Sequence, residues 1–369
     1  MDHIPLLARR ECSVNRRWSG RYKAAVALCS VALLGACAGP SHPDAVRGAL
    51  IIVGSGTQEG AINAWRNAWV AANKSVSVSF SPDGQDVGLQ ALLAGNTYVA
   101  TSDAPLSAAD AAASTTVCGP DGAFTLPTSI TPVAAAFNLG GIHGLKLDAP
   151  TLSAIFTGTI KSWNDPQIVA LNPTANLPAK AIVPVTSKAP SALALTGSRY
   201  LSDNSAAVWP SKPSANWPAT VTGTKVAKDS DIAKEVDDNF GTIAFLNVGD
   251  IGNRFNTVAL EFNGKFFTPT TDPINMAIAG SAVASSSHGV SVDIAPNGGT
   301  GYQLASVSYQ VFCSSYKVDA IATMVKSWAE FIVSEPGQTT AKIYAGTYPP
   351  SGTALEAAQS LAATIASPH

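Results

Sequence analysis

Residues 49–80 have the sequence ALIIVGSGTQEGAINAWRNAWVAANKSVSVSF, and the hydrophobic pattern of this stretch decides the fold class. The apolar run at 49–54 predicts a buried strand, and the spacing of apolar residues over 59–74 predicts an amphipathic helix. The alternation over 75–80 predicts a second strand. A strand, a helix and a strand in succession are typical of a parallel α/β sheet with right-handed crossovers.

The same alternation of strands and helices continues along the chain. A helix at 87–95 and a strand at 98–102 complete the first set, and an apolar strand at 130–139 leads away from it. Further predicted elements are helices at 151–158, 191–202 and 317–334, strands at 181–186 and 302–313, and a helix–strand unit at 230–248. Two α/β lobes linked by more than one crossing of the chain would leave a cleft that helix N-termini and strand C-termini face.

Length and composition limit the classes of protein to consider. A chain of 369 residues can bury two moderate cores, and 13% charged against 46% hydrophobic residues exclude a disordered chain or a coiled coil. The sequence lacks the G-x-S-x-G, H-E-x-x-H and Walker patterns, so we predict no enzymatic activity, no cofactor and no metal. His143 and His288 stand apart in turn-rich segments, which predicts surface positions.

The first 36 residues are typical of a lipoprotein signal peptide. Basic residues precede an apolar segment at 24–36, which ends in LLGAC, a lipobox-like motif that makes Cys37 the lipidated first residue of the mature chain. Cleavage nearby without lipidation, as in an ordinary secreted protein, is the alternative. We therefore expect an exported protein, anchored by lipid to the extracytoplasmic side of the cell membrane, with 37–48 as a tether.

Removal of residues 1–36 changes the net charge and the cysteine content. It takes away six basic and two acidic residues and shifts the formal charge from −2 to −6, which makes nucleic acid an unsuitable partner. With Cys12 and Cys29 removed and Cys37 acylated, Cys118 and Cys313 remain. These two either form a disulfide outside the cytoplasm or stay as free thiols, and the sequence leaves that question open.

The loop GSGTQEG at 54–60 follows a predicted strand and opens a predicted helix. Backbone N–H groups at such a position can bind an anion, which makes Gly56 and Thr57 candidate ligand-binding residues. Two other interpretations remain: the glycines ease a tight turn, or their spacing together with Asp83 belongs to a dinucleotide site. That spacing is one residue longer than the dinucleotide fingerprint, and an exported protein has no ready access to such a cofactor.

An acidic residue stands at a second predicted helix start. The segment ATSDAPLSAADAAA at 100–113 passes from a polar turn into an alanine-rich helix, with Ser102 and Asp103 where an N-cap is expected. An N-cap is the simpler interpretation. The other is a ligand site, because an ionised carboxylate is a hydrogen-bond acceptor only and would select a ligand that carries a proton.

Four segments resemble the phosphate-binding solute-receptor family of bacterial ABC transporters, in particular its lipid-anchored actinobacterial members. They are TSDAPLS (101–107), IFTGTIKSWNDPQIVALNPTANLP (155–178), GTIAFLN (241–247) and YPPSGTALEAAQSLAATI (348–365). The resemblance implies an α/β, two-lobed type II periplasmic-binding-protein fold with a central hinge and an interlobe cleft. Residues 49–134 plus 298–366 would form lobe I and residues 135–297 lobe II.

The resemblance also implies a function and a site. It implies a receptor, expected as a monomer, that captures a small ligand between the lobes and delivers it to ABC permease subunits. In family members an aspartate at the position of Asp103 accepts a hydrogen bond from a protonated phosphate oxygen. The expected ligand-binding residues are Gly56, Thr57, Gln85, Asp86, Ser102, Asp103, Ser187, Lys188 and Ser191.

The sequence departs from the family pattern in two other segments. GQDVG (84–88) has Gln85 in place of a ligand-binding serine, and SKAPSAL (187–193) has Ser187 in place of an arginine and Ala189 in place of the aspartate that orients it. Lys188 supplies a point charge without the planar fork of arginine. The expected ligand is therefore phosphate or another small polar solute. The alternative function is that of a diverged surface interaction or sensory lipoprotein that no longer binds phosphate.

Overall fold

The structure is a computed structural model that describes residues 46–252, 254–295 and 298–367. The predicted signal peptide, Cys37 and the tether up to residue 45 lie outside the described residues. None of the described helices is both long enough and apolar enough to cross a membrane.

Strands and helices alternate through most of the described chain. The strands are β1 (Gly48–Gly54), β2 (Val76–Ser81), β3 (Val99–Ser102), β4 (Ala123–Phe137), β5 (Lys146–Leu147), β6 (Val183–Ser187), β7 (Thr224–Val226), β8 (Thr242–Asn247), β9 (Asn256–Thr257), β10 (Ala259–Phe262), β11 (Lys265–Phe267), β12 (Ala282–Ser286), β13 (Gly289–Asp293) and β14 (Ala305–Cys313). The α-helices are α1 (Glu59–Ala72), α2 (Gln85–Leu93), α3 (Ala108–Ala113), α4 (Thr115–Cys118), α5 (Ala149–Phe156), α6 (Pro166–Leu171), α7 (Ala192–Asn204), α8 (Ile232–Asp238), α9 (Val248–Ile251), α10 (Thr271–Ala279), α11 (Asp319–Ile332), α12 (Glu335–Ala345) and α13 (Gly352–Ala362).

The first part of the chain forms the parallel sheet that the sequence predicts. β1 pairs in parallel with β2 on one side and with β3 on the other, and α1 and α2 are the crossover helices. β14 runs antiparallel to both β3 and β4, which gives the order β2-β1-β3-β14-β4. The C-terminal ends of β1 and β3 therefore lie at one edge of the sheet, where the loops at 54–58 and 102–107 begin.

The long strand β4 belongs to both halves of the sheet. All of its residues are buried; its first part pairs with β14, and residues 133–137 pair with β8. The sheet then continues in parallel through β8, β6 and β7. The strand predicted at 130–139 corresponds to the second part of β4, because the first part contains Thr125, Pro127 and Thr128 and lacks a continuous apolar pattern.

Apolar side chains form two separate cores on this continuous sheet. The first core includes Leu50, Trp65 and Trp328, and the second includes Phe137 and Trp163. We call the regions around these cores the first lobe and the second lobe. The two cores confirm the predicted two-lobed α/β fold.

The hairpin of β12 and β13 packs against the first lobe. β13 pairs with β4 at Gly289, and Val290 and Val292 form a small apolar cluster with Ala354 of α13. The hairpin thus contacts a first-lobe helix, although it lies within the range 135–297 expected for lobe II.

Cys118 at the end of α4 and Cys313 at the end of β14 are joined by a disulfide within the first core. The bond links positions 195 residues apart in the chain. It links the end of β14 to the segment that leads into β4.

Candidate functional site

A cleft of about 670 Å³ lies between the two lobes. Its walls are the loops after β1, β2 and β3 in the first lobe, and the N-terminal end of α7, the segment before α8 and the end of β8 in the second. Open α/β sheets bind ligands at these positions, outside the carboxyl ends of the strands. The sequence-predicted residues that line this cleft are Gly56, Thr57, Gln85, Asp86, Asp103 and Ser191.

The loop after β1 holds the carboxylate of Asp103. The Ser55 hydroxyl donates to Asp103 Oδ2 at 2.6 Å, and the same Oγ accepts from the Thr57 N–H at 3.2 Å. The Thr101 hydroxyl donates to the Ser55 carbonyl at 3.0 Å and fixes the loop against β3. Glycine is required at position 54, because its φ is +146° and a Cβ would lie 2.3 Å from the Thr101 carbonyl oxygen.

One oxygen of the Asp103 carboxylate has no hydrogen-bond partner. Oδ1 is shielded from solvent and makes no hydrogen bond to any described residue, whereas Oδ2 accepts from Ser55. Burial raises the pKa of Asp103, and the hydrogen bonds of Ser55 and Thr57 oppose that shift. A shielded acceptor without a donor is unfavourable, so a proton on the carboxyl or a donor group of a ligand would stabilise this site.

The helix predicted to start at 102–103 begins later. α3 starts at Ala108, and Ser107 is its N-cap, because the Ser107 hydroxyl accepts from the Asp110 N–H at 3.1 Å. Ser102 instead donates to the Ala104 carbonyl at 2.7 Å, in a local turn at the edge of the cleft. The interpretation of Ser102 or Asp103 as a helix cap is therefore wrong. The serine with an acid three residues later, at 107 and 110, is the stronger capping pattern.

The N-terminus of α2 lies next to Asp103. The Asp103 N–H donates to Gln85 Oε1 at 3.2 Å, so Gln85 binds the backbone of the aspartate. Gly84 is the N-cap, with a φ of +101° and no side-chain hydrogen bond to the helix. The first N–H groups of α2 are therefore available to a ligand in the cleft. Gly88 lets the helix approach β1, because a Cβ there would lie 2.4 Å from the Val53 carbonyl oxygen.

Asp229 brings a second carboxylate to the cleft, from the second lobe. Ser187 donates to Asp229 Oδ1 at 2.5 Å. Ser191, which also lines the cleft, caps α7 by accepting from the Ala194 N–H at 3.1 Å. Burial raises the pKa of Asp229, the two serines oppose that shift, and Asp250 adds to it. Ser187 thus positions a carboxylate that the sequence did not indicate as part of the site.

Carboxylates outnumber cations in the cleft. Among the described residues, its lining contains five carboxylates and one ammonium group: Glu59, Asp83, Asp86, Asp103, Asp229 and Lys228. Lys188 is exposed and outside this lining. In the described chain the sole ion pair joins Lys234 to Asp238 on the surface, so none of the described lysines or arginines pairs with Asp103.

Asp229 and Lys228 were not predicted as site residues because their segment has no periodic pattern. They follow β7, a strand of three residues, and Asp229 is the first residue of a short helical turn. A short edge strand carries too few residues to show alternation. Within the described ranges, no cluster of three or more His, Cys, Asp or Glu side chains is arranged to hold a metal ion.

Comparison with known proteins gives the same architecture. A family model described as a PBP superfamily domain matches residues 39–336. The phosphate-binding protein PstS 2 of Mycobacterium tuberculosis is 27% identical over 304 residues, which cover 77% of this chain and 79% of that protein.

Solved structures are similar in fold at low sequence identity. A phosphate-binding protein from Stenotrophomonas maltophilia has a TM-score of 0.63 at 16% identity and covers 85% of this chain and 93% of its own. An ABC-type phosphate transport receptor from Vibrio cholerae has a TM-score of 0.53 at 17% identity and covers 82% of this chain and 100% of its own. These similarities agree with the two-lobed fold described above.

Proposed function

This chain belongs to the PBP superfamily, and on that premise we propose that it is an extracytoplasmic solute-binding lipoprotein of an ABC importer. It captures phosphate or another small polar solute between its two lobes, closes by a hinge motion and presents the closed form to permease subunits in the membrane. The relatives named as phosphate-binding proteins and phosphate transport receptors support phosphate as the first ligand to test. We expect a monomer, which light scattering would measure.

The observation that carries this proposal is the unpaired Oδ1 of Asp103 at the cleft. Ser55 holds the other carboxylate oxygen, so the orientation of the group is fixed before a ligand arrives. An oriented acceptor suits a protonated phosphate oxygen, which donates a hydrogen bond, and disfavours a fully ionised oxyanion, which cannot.

Two opposing effects determine the affinity for phosphate. The N–H groups at the start of α2 and the helix dipole favour an anion by about 0.3–1 kcal/mol, and up to about 2 kcal/mol where the site is partly buried. A phosphate dianion about 4 Å from one unpaired carboxylate is repelled by roughly 4 kcal/mol per charge pair at an effective dielectric near 20. The monoanion carries half the charge of the dianion, and its P–OH groups can donate to the carboxylate, so this cleft favours the monoanion over the dianion.

Calorimetric titration with inorganic phosphate tests the proposal. We expect micromolar binding that is tighter at about pH 6 than at about pH 8, because the monoanion predominates at the lower pH and the carboxylates repel the dianion. The substitution Asp103→Asn should weaken binding about 10–100-fold, since a hydrogen bond to a charged group contributes about 1.5–3 kcal/mol.

The matched control is Asp121→Asn, which makes the same chemical change in an exposed turn outside the cleft. It should leave phosphate binding unchanged. Equal affinity of Asp103→Asn and the wild type for phosphate would show that Asp103 does not bind the ligand. Absence of any binding or thermal stabilisation by phosphate, together with a flat response to other polar solutes, would reject the receptor function.

The proposal includes export and a lipid anchor at Cys37, which lies outside the described residues. Metabolic labelling with a radioactive fatty acid should label the wild type and not Cys37→Ala. Release of unlabelled wild-type protein into the medium would instead support an ordinary secreted protein.

A further inference from the structure

A second cavity of about 450 Å³ adjoins the cleft. Asp103, Ala192 and Leu195 line both spaces, so the cleft and this cavity share a wall. We call the cavity the side chamber; the described residues around it come mainly from the loop after β3, from α7 and β13, from the turn between β10 and β11, and from β14 and the segment before it. None of the residues predicted from the sequence lies there except Asp103.

One face of α7 leads from the cleft into the side chamber. Ala192, Leu195, Thr196 and Arg199 recur at helical spacing and all line the chamber. Seven residues of helix span about 10 Å, which is the distance along α7 from the cleft end of the chamber to Arg199. The chamber therefore has room for an organic group that a single phosphate ion would not fill.

Arg199 supplies an unpaired positive charge to the chamber. Asp203 and Asp293 line the same space, yet neither forms an ion pair with Arg199 in the described part of the chain. Tyr309 lines the same chamber; burial raises the pKa of its phenol, and the positive charge of Arg199 acts in the opposite direction. Arg199 is exposed, and a guanidinium in the lining of an open cavity is suited to bind a carboxylate or a phosphoryl group.

Gln303 places an unpaired hydrogen-bond donor in the same chamber. Its side chain is 7% exposed, and its Nε2 has no hydrogen-bond partner among the described residues. Buried polar groups in folded proteins are generally hydrogen-bonded, so an isolated amide donor in a cavity wall indicates a site for an acceptor atom. Arg199 and Gln303 thus offer donors, whereas Asp103 offers an acceptor at the shared wall.

We propose that the side chamber binds the anionic end of a zwitterionic organic solute, whose ammonium end lies against Asp103 in the cleft. The inference rests on the proposed function, because it takes the cleft as the ligand site and names the class of solute. The five carboxylates of the cleft favour a cation, whereas in the chamber Arg199 and Gln303 offer donors to an anion, despite the carboxylates of Asp203 and Asp293 in the same lining. Inorganic phosphate carries no cationic group and is too small to contact both ends.

The test is a set of calorimetric titrations with four probes. Phosphoethanolamine and 4-aminobutanoate are zwitterions with a phosphoryl and a carboxylate anion respectively; ethanolamine is the cation alone, and inorganic phosphate is the anion alone. We expect at least one zwitterion to bind at least about tenfold more tightly than either single-charge probe, which corresponds to about 1.4 kcal/mol. Comparison of the two zwitterions identifies the anionic group.

Two variants assign the anionic end to the chamber. Arg199→Gln and Gln303→Met should each weaken binding of the preferred zwitterion at least about tenfold. Gln303→Met should not lower the melting temperature, because it removes a buried donor that has no partner. The matched control Arg66→Gln removes a guanidinium from α1, outside both cavities, and should leave binding unchanged.

The outcomes separate this inference from the proposed function. Tight zwitterion binding that is insensitive to both chamber variants would overturn the inference. Binding of inorganic phosphate more tightly than either zwitterion would overturn it as well, and would leave the proposed function in place. No binding of any of the four probes would reject the inference and weaken the receptor function itself.

Discussion

At the scale of single residues, the cleft is defined by two carboxylates on opposite lobes. Asp103 accepts a hydrogen bond from Ser55, and Asp229 accepts one from Ser187. Serine hydroxyls donate to these acids without neutralising them, so the negative charges remain available to a ligand. Burial raises the pKa of both carboxyls, which means that the folded protein binds their protons more tightly than the unfolded chain does.

The ligand-free protein should therefore lose stability as the pH rises. A carboxyl whose folded pKa lies above its ordinary value of 3.8 destabilises the fold progressively as the pH passes through the raised value. Asp103→Asn, which stays neutral, should have a higher melting temperature than the wild type near neutral pH, by about 2 °C or more. The difference should shrink as the pH falls and disappear below about pH 3.8, where the carboxyl becomes protonated in the unfolded chain as well.

Differential scanning calorimetry of both proteins across this pH range measures the effect, and Asp121→Asn is again the control in an exposed turn. A melting temperature of Asp103→Asn below that of the wild type near neutral pH would show that the ionised carboxylate stabilises the ligand-free fold. In that case, Asp103 Oδ1 would accept a hydrogen bond in the ligand-free protein in solution.

At the scale of elements, the first lobe repeats a strand, a loop and a helix, and each loop contributes to the cleft. The position of α2 depends on Gly88, whose missing side chain lets the helix lie against the end of β1. Gln85 and Asp86 begin the same helix and line the cleft. A change in helix packing at Gly88 is thus transmitted to the ligand site over less than one helical turn.

We expect Gly88→Ala to lower both stability and ligand affinity. Its Cβ would lie 2.4 Å from the Val53 carbonyl oxygen and 2.6 Å from the Gly54 Cα, so α2 must move outward. Overpacking of this kind costs about 1–3 kcal/mol in free energy of unfolding, which denaturant titration measures. Gly352→Ala, at the start of α13 where a Cβ meets nothing within 4 Å, is the control and should be neutral or slightly stabilising. Equal stabilities of the two variants would contradict this account of the packing.

At the scale of the whole molecule, the two cores are connected by one continuous sheet. β4 carries the chain from the first lobe to the second, and the segment before β14 brings it back, as Leu304 lies in the second core and Val311 in the first. The disulfide between Cys118 and Cys313 lies entirely in the first core. It therefore stabilises one lobe without restricting the connection between the lobes.

Loss of this disulfide should destabilise the protein and leave ligand binding intact. A cross-link across 195 residues restricts the unfolded chain, and native disulfides typically contribute about 2–4 kcal/mol. The single variant Cys118→Ala and the double variant Cys118→Ala/Cys313→Ala should show the same loss in denaturant unfolding, because both lack the bond. A loss below about 0.5 kcal/mol would mean that the bond does not form or does not restrict the unfolded chain.

Local patterns predicted much of the fold and part of the site. The first strands and helices were predicted from their periodicity because each has one face against a core. β7 and the hairpin of β12 and β13 were not, since short or exposed strands have no regular alternation of apolar residues. Gly56, Thr57, Gln85, Asp86, Asp103 and Ser191 lie at the cleft, whereas Lys188 lies outside its lining.

The sequence by itself determined that this is a two-lobed α/β protein with an acid at the end of the third strand, because hydrophobic periodicity and strand–helix order are local properties. The tertiary structure alone decided which side chains face one another. It placed Asp229 at the same cleft as Asp103, gave Ser107 rather than Ser102 the role of helix cap, and set Arg199 and Gln303 in a chamber beside the cleft. Hydrogen bonding and charge pairing depend on distances of a few ångströms between residues far apart in the chain, and no local pattern encodes those distances.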